Sequence, residues 1–302
     1  MKLKHWSAKF NELRQHPGYR NHRGVVLWRA AAWSAHCLLH MPAHAKFRRW
    51  NFKLYLPPKW RGGGCTSPFL FREDYEPEVK LLERFLQPGM TVVDGGANTG
   101  VFTFTAAHLV GPRGRVIAFE PGSACFAALN QSKRLNSADH VALRQQALSD
   151  RSGTARFYHH DDQENSFSLG GAGGVAYEEI NTVTLDAVAA ELKLDRVDFI
   201  KLDVEGAEEL VFRGGRSVLQ QHRPLLLFEV NPEAAARLNL PPDGACQALT
   251  ELNYRFFCMA DDGRLQAVDT ADEFGNLLAV PAEKLAELGI GSPAAQALSG
   301  VC

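Results

Sequence analysis

Acids and glycines fall where apolar runs of this sequence end. In residues 91–103 (TVVDGGANTGVFT) an apolar run closes on Asp94, a glycine-rich turn follows, and a helical pattern starts near Thr99. Glycine lets a backbone pass close to a ligand, and a helix N-terminus presents unpaired N–H groups. Asp94 is followed by Gly96, Asn98 and Gly100 at alternate positions, which is not the GxGxxG spacing of a dinucleotide-binding turn. An anionic Asp94 at the strand tip would repel a pyrophosphate, but it suits a cofactor whose amino acid part carries an ammonium. Glu120 closes the next apolar run (RVIAFEP), 26 positions after Asp94, about the length of one β-α-β unit. A carboxylate there can accept hydrogen bonds from both hydroxyls of a ribose.

A second group of acids follows two later apolar runs. Asp203 and Glu205 come after residues 197–202, and Glu229 and Asn231 end or follow residues 225–230. In a parallel sheet such strand ends converge on one crevice. Clustered acids there can act as a base or gather an oxygen-ligated metal, and the expectation is the metal-free form. Glu205 can equally cap the helix expected from Ala207. His159, His160, Asp161 and Asp162, followed by residues 165–168 (NSFS), offer an imidazole base or a solvated loop. His36, His40 and His44 have helical spacing, but Pro42 interrupts it and no thiol or acid joins them, so they read as surface histidines and not zinc ligands.

These residues need strand ends to hold them, and the chain supplies a regular alternation. Apolar runs at 91–93, 115–119, 141–144, 197–202 and 225–230 read as buried strands, with helical patterns at 76–86, 101–110, 124–135, 185–194 and 207–214. Short buried strands alternating with helices imply a parallel sheet with right-handed crossovers. Residues 254–259 and 276–280 add two strands, and GGAGG at 170–174 is a flexible loop. With 45% hydrophobic and 22% charged residues in 302, the chain reads as globular. Its net charge of −1 hides an asymmetry: residues 1–62 hold 13 Lys and Arg against one acid, Glu12, and the remainder holds 20 bases against 33 acids.

Residues 1–50 read as helical and basic, residues 51–56 as a short strand, and residues 1–60 together as an N-terminal extension of a domain spanning 61–302. The extension can lie on an anionic membrane surface, pack as a lid on the acidic body, or form a homodimer contact. On it, Trp28, Ala31, Ala35 and Leu38 share one apolar face. No apolar stretch is long and clean enough to span a bilayer, the first residues lack the core of a signal peptide, and a nucleic acid partner is not expected. Six cysteines without CxxC spacing suggest reduced, mostly buried thiols and a cytoplasmic setting, at most peripheral to a membrane.

DGGANTG at the first strand end, FEP at 119–121, ALSD at 147–150, IKLDVEG at 200–206 and RPLLLFEV at 223–230 together resemble the FkbM family of methyltransferases over residues 75–281. The resemblance implies a Rossmann-like class I methyltransferase fold: a mostly parallel seven-stranded sheet with an antiparallel last strand. It implies S-adenosylmethionine as cofactor and methyl transfer to a hydroxyl oxygen of a small molecule, sugar or lipid-linked acceptor. By the same resemblance Asp94, Gly96, Asn98 and Gly100 hold the methionine end, Glu120 the ribose, and Ala147 and Leu148 lie near the adenine. Asp203 lies on the sulfonium side, and a polar loop such as the one at His159 lies near the active site. Asp203, Glu205, Glu229 and His159 are then the candidate catalytic groups. Gly95 departs from the family pattern, where an aliphatic residue is usual, and is expected to loosen packing. A degenerate fold serving only as a binding module is the rival reading.

Overall fold

The computed structural model describes residue 14 and residues 16–59, 64–160, 166–169, 176–260, 263–269 and 274–290; the side chains of 159, 160 and 166–168 lie outside that description, as do residues 161–165 and the 170–174 loop. The chain opens with α1 (Pro17–Leu38), the strands β1 (Ala43–Phe47) and β2 (Phe52–Leu56), α2 (Thr66–Phe71) and α3 (Pro77–Phe85). The alternating region follows: β3 (Thr91–Gly95), α4 (Val101–Val110), β4 (Arg115–Phe119), α5 (Ser123–Asn136) and β5 (Val141–Arg144). Next come β6 (Ala147–Leu148), β7 (Gly153–His160), β8 (Ser166–Ser168), β9 (Tyr177–Val183) and α6 (Leu185–Glu191). The chain continues through β10 (Phe199–Leu202), α7 (Glu208–Gly214), α8 (Arg216–His222), β11 (Leu225–Val230), α9 (Pro232–Arg237), α10 (Gly244–Thr250), β12 (Tyr254–Met259), β13 (Leu265–Val268) and β14 (Gly275–Pro281).

The main sheet runs β13-β12-β14-β11-β10-β3-β4-β5. Strands β5, β4, β3, β10 and β11 are mutually parallel, and β14 inserts antiparallel between β11 and β12. These seven strands are the expected sheet with its antiparallel last strand. An eighth, β13, adds an antiparallel edge beside β12. Both faces are covered, so successive residues of one strand enter different cores: Val92 and Phe199 pack on one side, Val93 and Ile200 on the other. A smaller sheet, β6-β9-β7-β8, stands beside the carboxyl end of β5.

The described part of the basic N-terminal segment departs from an all-helical reading. Residues 43–47 form a strand whose Ala43, Ala45 and Phe47 are buried while His44 and Lys46 are exposed, a period of two that alanines in a histidine-rich stretch disguise. The backbone of β2 is tied to α5: the Lys53 N–H donates to Asn136 Oδ1 at 2.8 Å, and the Tyr55 N–H to Ser132 Oγ at 2.9 Å. Trp33 is fully buried, with its Nε1 donating to Thr66 Oγ1 at 3.0 Å. Trp50 Nε1 and the Arg49 guanidinium both donate to Glu83 on α3. Val26, Trp33, Phe47 and Leu54 thereby share one hydrophobic core with Val92 and Phe104 of the central region.

Cys37, Cys65, Cys125 and Cys246 are buried. No helix among the described residues is long and apolar enough to cross a membrane.

Trp33→Ala should remove about 3–5 kcal/mol of stability through the cavity it leaves, whereas Trp28→Ala, on the exposed face of the same helix, should change stability by about 0.5 kcal/mol or less. Urea unfolding of the two variants checks both values.

Candidate active site

The cofactor-loop residues are positioned by strand register. In the parallel pairing of β3 with β10, Asp94 stands opposite Lys201. After β3 the backbone turns sharply: the Gly96 and Ala97 N–H groups both donate to Phe119 O, at 3.0 and 2.9 Å. Gly96 has φ +79°, and a Cβ on it would sit 1.9 Å from the carbonyl oxygen of Asp203. Only glycine fits that approach, which presses the turn against the residue that leaves β10. At Gly95 the structure corrects the expected looseness. A Cβ there would lie 2.7 Å from Leu202 Cδ2 and 3.1 Å from Leu148 Cδ1, so larger neighbours already fill the space.

Lys201 joins the two acidic strand ends. It is buried on β10, with its Nζ 3.9 Å from Asp94 Oδ1, 3.4 Å from Asp203 Oδ2 and 3.5 Å from Gly96 O, and 4.7 Å from the centre of the Phe102 ring. Burial opposes its charge, but Asp203, Asp94 and Glu76 together hold the ammonium above its ordinary range. Asp94 is 1% exposed. Its Oδ2 accepts the Thr103 hydroxyl at 2.5 Å, and its Oδ1 is buried without a hydrogen-bond partner. Burial raises the Asp94 carboxyl despite Lys201 and Thr103.

Glu120 ties the turns after β3 and β4 together. Its Oε2 accepts from the Asn98 N–H and its Oε1 from the Gly122 N–H, each at 2.8 Å. Burial nevertheless pushes it up to about 7. An open cleft runs past this carboxylate and is lined by Gly96, Asn98, Glu120, Ala147, Leu148, Asp203 and Glu205. Phe119, Cys125, Phe157 and Leu169 complete an apolar end next to Ala147. Of the expected cofactor residues, Asp94 and Gly100 do not form the wall. Asp94 lies beneath the loop, and Gly100 packs inward, where a Cβ would meet Phe104 and Leu129.

The expected catalytic acids separate. Asp203 has its side chain 40% exposed, and Glu205 lines the same cleft. The helix expected to be capped by Glu205 has Ala207 as its N-cap and no side-chain capping bond, and Glu208 Oε1 accepts the Val204 N–H at 3.0 Å. Glu205 itself has φ +55° and is followed by Gly206 at φ +90°, where a Cβ would lie 2.4 Å from the backbone of Ala234 and Ala235. Glu229 faces a second, smaller cavity behind this turn, with Glu208 and Asn231. Burial, then Asp203, Glu205 and Glu208, raise its carboxyl well above the ordinary value. His159 is the second-last residue of β7, its backbone paired with Phe167, and its side chain lies outside the described residues.

Sequence reasoning missed Lys201, Tyr75 and Glu76. Glu76 stands just before α3 with Pro77 as the first helical residue, hydrogen-bonds to Tyr75, and is pushed up to about 7 by burial and then by Asp203. A lysine inside an otherwise apolar strand was the available signal for Lys201; nothing local in YEP points toward Asp203. Among the described residues no group of three His, Cys, Asp or Glu is arranged to hold a metal ion.

A doubly covered sheet in this order, with a glycine turn after β3, an acid closing β4 and an acid after β10, defines a Rossmann-like class I methyltransferase fold. The profile of the family described as "Methyltransferase FkbM domain" matches residues 94–256, more than half of the chain, and the chain belongs to that family. It is 33% identical over 182 residues to the 31-O-demethyl-FK506 methyltransferase FkbM of Streptomyces tacrolimicus, covering 49% of this chain and 68% of that protein. It is 28% identical over 176 residues to the 2-O-methyltransferase NoeI of Sinorhizobium fredii (strain NBRC 101917 / NGR234), covering 53% and 70%. Among solved structures, a methyltransferase FkbM from Methylobacillus flagellatus KT aligns at 16% identity with a TM-score of 0.39, over 72% of this chain and 53% of that one.

Burial raises several carboxyls together: Glu76 and Glu120 to about 7 and Glu208 to about 8. In the unfolded chain such groups titrate near ~4.3. Their contribution to stability is therefore full below that value and is lost as pH rises through the folded values. The melting temperature of the ligand-free protein should fall between pH 6 and pH 9, and Glu208→Gln should flatten that slope; differential scanning calorimetry across the range measures it.

Proposed function

We propose that the chain is an S-adenosylmethionine-dependent O-methyltransferase whose acceptor is a hydroxyl of a small molecule, sugar or lipid-linked compound. The observation that carries this is the cleft along Glu120, Asn98 and Asp203. Its donor set suits the cofactor. Glu120 keeps acceptor capacity for ribose hydroxyls beyond its two backbone bonds, Asn98 Oδ1 is buried and unpartnered, and Ala147, Leu148 and Phe157 give an apolar slot for a purine. Asp203, held by Lys201, offers an anion at the mouth to a cationic group. The two relatives named above are by their names O-methyltransferases, which supports hydroxyl as the acceptor class.

When bound, S-adenosylmethionine supplies an electrophilic methyl on a sulfonium. The protein's task is then to align an acceptor oxygen and receive its proton. Asp203, which lines the cleft, would orient the hydroxyl and receive its proton. Glu76, pushed up to about 7 by burial and then by Asp203, does not line the cleft and bears on the reaction through its charge contact with Asp203. Glu205 is a second acid on the cleft wall. The intact Asp94–Lys201–Asp203 arrangement argues against a retired site kept only for binding.

Calorimetry with S-adenosylhomocysteine should give binding by the wild type, weakened about tenfold or more in Glu120→Ala through lost charged hydrogen bonds. No binding by the wild type would sink the proposal. With labelled S-adenosylmethionine and fractionated extract as the acceptor source, Asp203→Asn should lower turnover in the presence and absence of EDTA alike. Unchanged turnover would remove Asp203 from the reaction.

A further inference from the structure

The helix α1 is apolar on two opposite sides, and the folded chain uses only one. Its backbone is interrupted at His22 (φ −137°, ψ 44°) and runs as regular helix from Arg23. Val26, Trp33 and Cys37 turn inward and are buried. Gly24, Trp28, Ala31, Ala35 and Leu38 follow one another at spacings of three and four, and all are exposed. Trp28 is 70% exposed and Leu38 78%, with Leu39 at 67% and Met41 at 54% continuing the stripe past the helix end. A helix with apolar residues on both sides is stable in water only if each side finds an apolar partner.

The charges around the stripe all have one sign. No acid occurs between Glu12 and Glu73. Arg20 and Arg23 precede the stripe, while Lys46 and Arg48 follow it, all exposed. The nearest acids already have partners: Glu73 accepts from the backbone N–H groups of Arg48 and Arg49, and Asp74 pairs with Lys80 at 2.6 Å and lies 3.8 Å from His22 Nε2. Arg29 is turned inward, donating to Leu70 O at 2.8 Å.

We propose that this face of α1, with the start of β1, docks on an anionic lipid surface. The stripe carries an exposed tryptophan near its start and two leucines at its end, side chains that the headgroup–acyl boundary of a bilayer accepts without a complementary groove. The flanking cations match anionic headgroups. A second copy of the chain fits less well, because a two-fold contact through this face would set two acid-free basic segments against each other. The segment lies on the surface and does not cross it, since no described helix is long and apolar enough to span.

Flotation of the full chain with vesicles tests the assignment. Vesicles of phosphatidylcholine mixed with phosphatidylglycerol should carry the wild type upward, and pure phosphatidylcholine vesicles should carry about tenfold less or none. The double variant Trp28→Ser with Leu38→Ser should lose about tenfold of the anionic-vesicle binding while keeping the wild-type melting temperature, because both side chains are exposed. Three results overturn the proposal: a wild type that stays at the bottom with anionic vesicles, equal flotation with the uncharged ones, or a double variant that floats like the wild type. A wild-type dimer by light scattering that becomes monomeric in the double variant also overturns it, assigning the face to a second copy.

Discussion

The ammonium of Lys201, buried between Asp94 and Asp203, is the interaction on which the site depends. Two carboxylates at the ends of adjacent parallel strands would repel each other and pay for lost hydration. A lysine on the strand that Asp203 follows offsets both costs with one charge, and its methylene stem and the Phe102 ring keep that charge dry. The same ammonium reaches Gly96 O, so the electrostatic centre is also a strut under the glycine turn. Removing it would leave buried anions uncompensated, the most destabilising way to break such a group.

Around that strut the loops are held by backbone proximity. Gly96 lies against the Asp203 carbonyl and Gly206 against the first turn of α9, so the turns after β3 and β10 each touch another element with no room for a side chain. Glu120 completes the frame by bonding the backbone of both the Asn98 turn and its own. The cleft is therefore walled by groups whose positions are fixed before any ligand enters, which is what preorganised binding and proton transfer require.

The N-terminal segment is joined to this frame. Trp33 meets Thr66, Trp50 and Arg49 meet Glu83 at the end of α3, and Thr99 of the cofactor turn is 3.5 Å from the carbonyl of Gly64. Since Tyr75 and Glu76 lie between α2 and α3, the elements that anchor the basic segment also carry two side chains to Asp203.

Local sequence alone determined the alternating core. Residues 101–110 and 115–119 form a helix and a strand with the expected ends, because apolar runs bounded by Gly and Pro leave few other ways to bury them. It also determined that Asp94, Glu120 and Asp203 end strands, because a charge tolerates burial only at an apolar run's edge or beside a partner. Tertiary structure decided what local pattern does not encode. The strand order set Lys201 opposite Asp94, long-range packing brought Glu76 from before α3 to the acids after β10, and the turn at Gly206 sent Glu229 to a separate cavity. The helix α1 shows the same division: its spacing marked Trp28 and Leu38 as one face, but with apolar residues on both sides only the packing of Val26 and Trp33 against the core could choose which face turned outward.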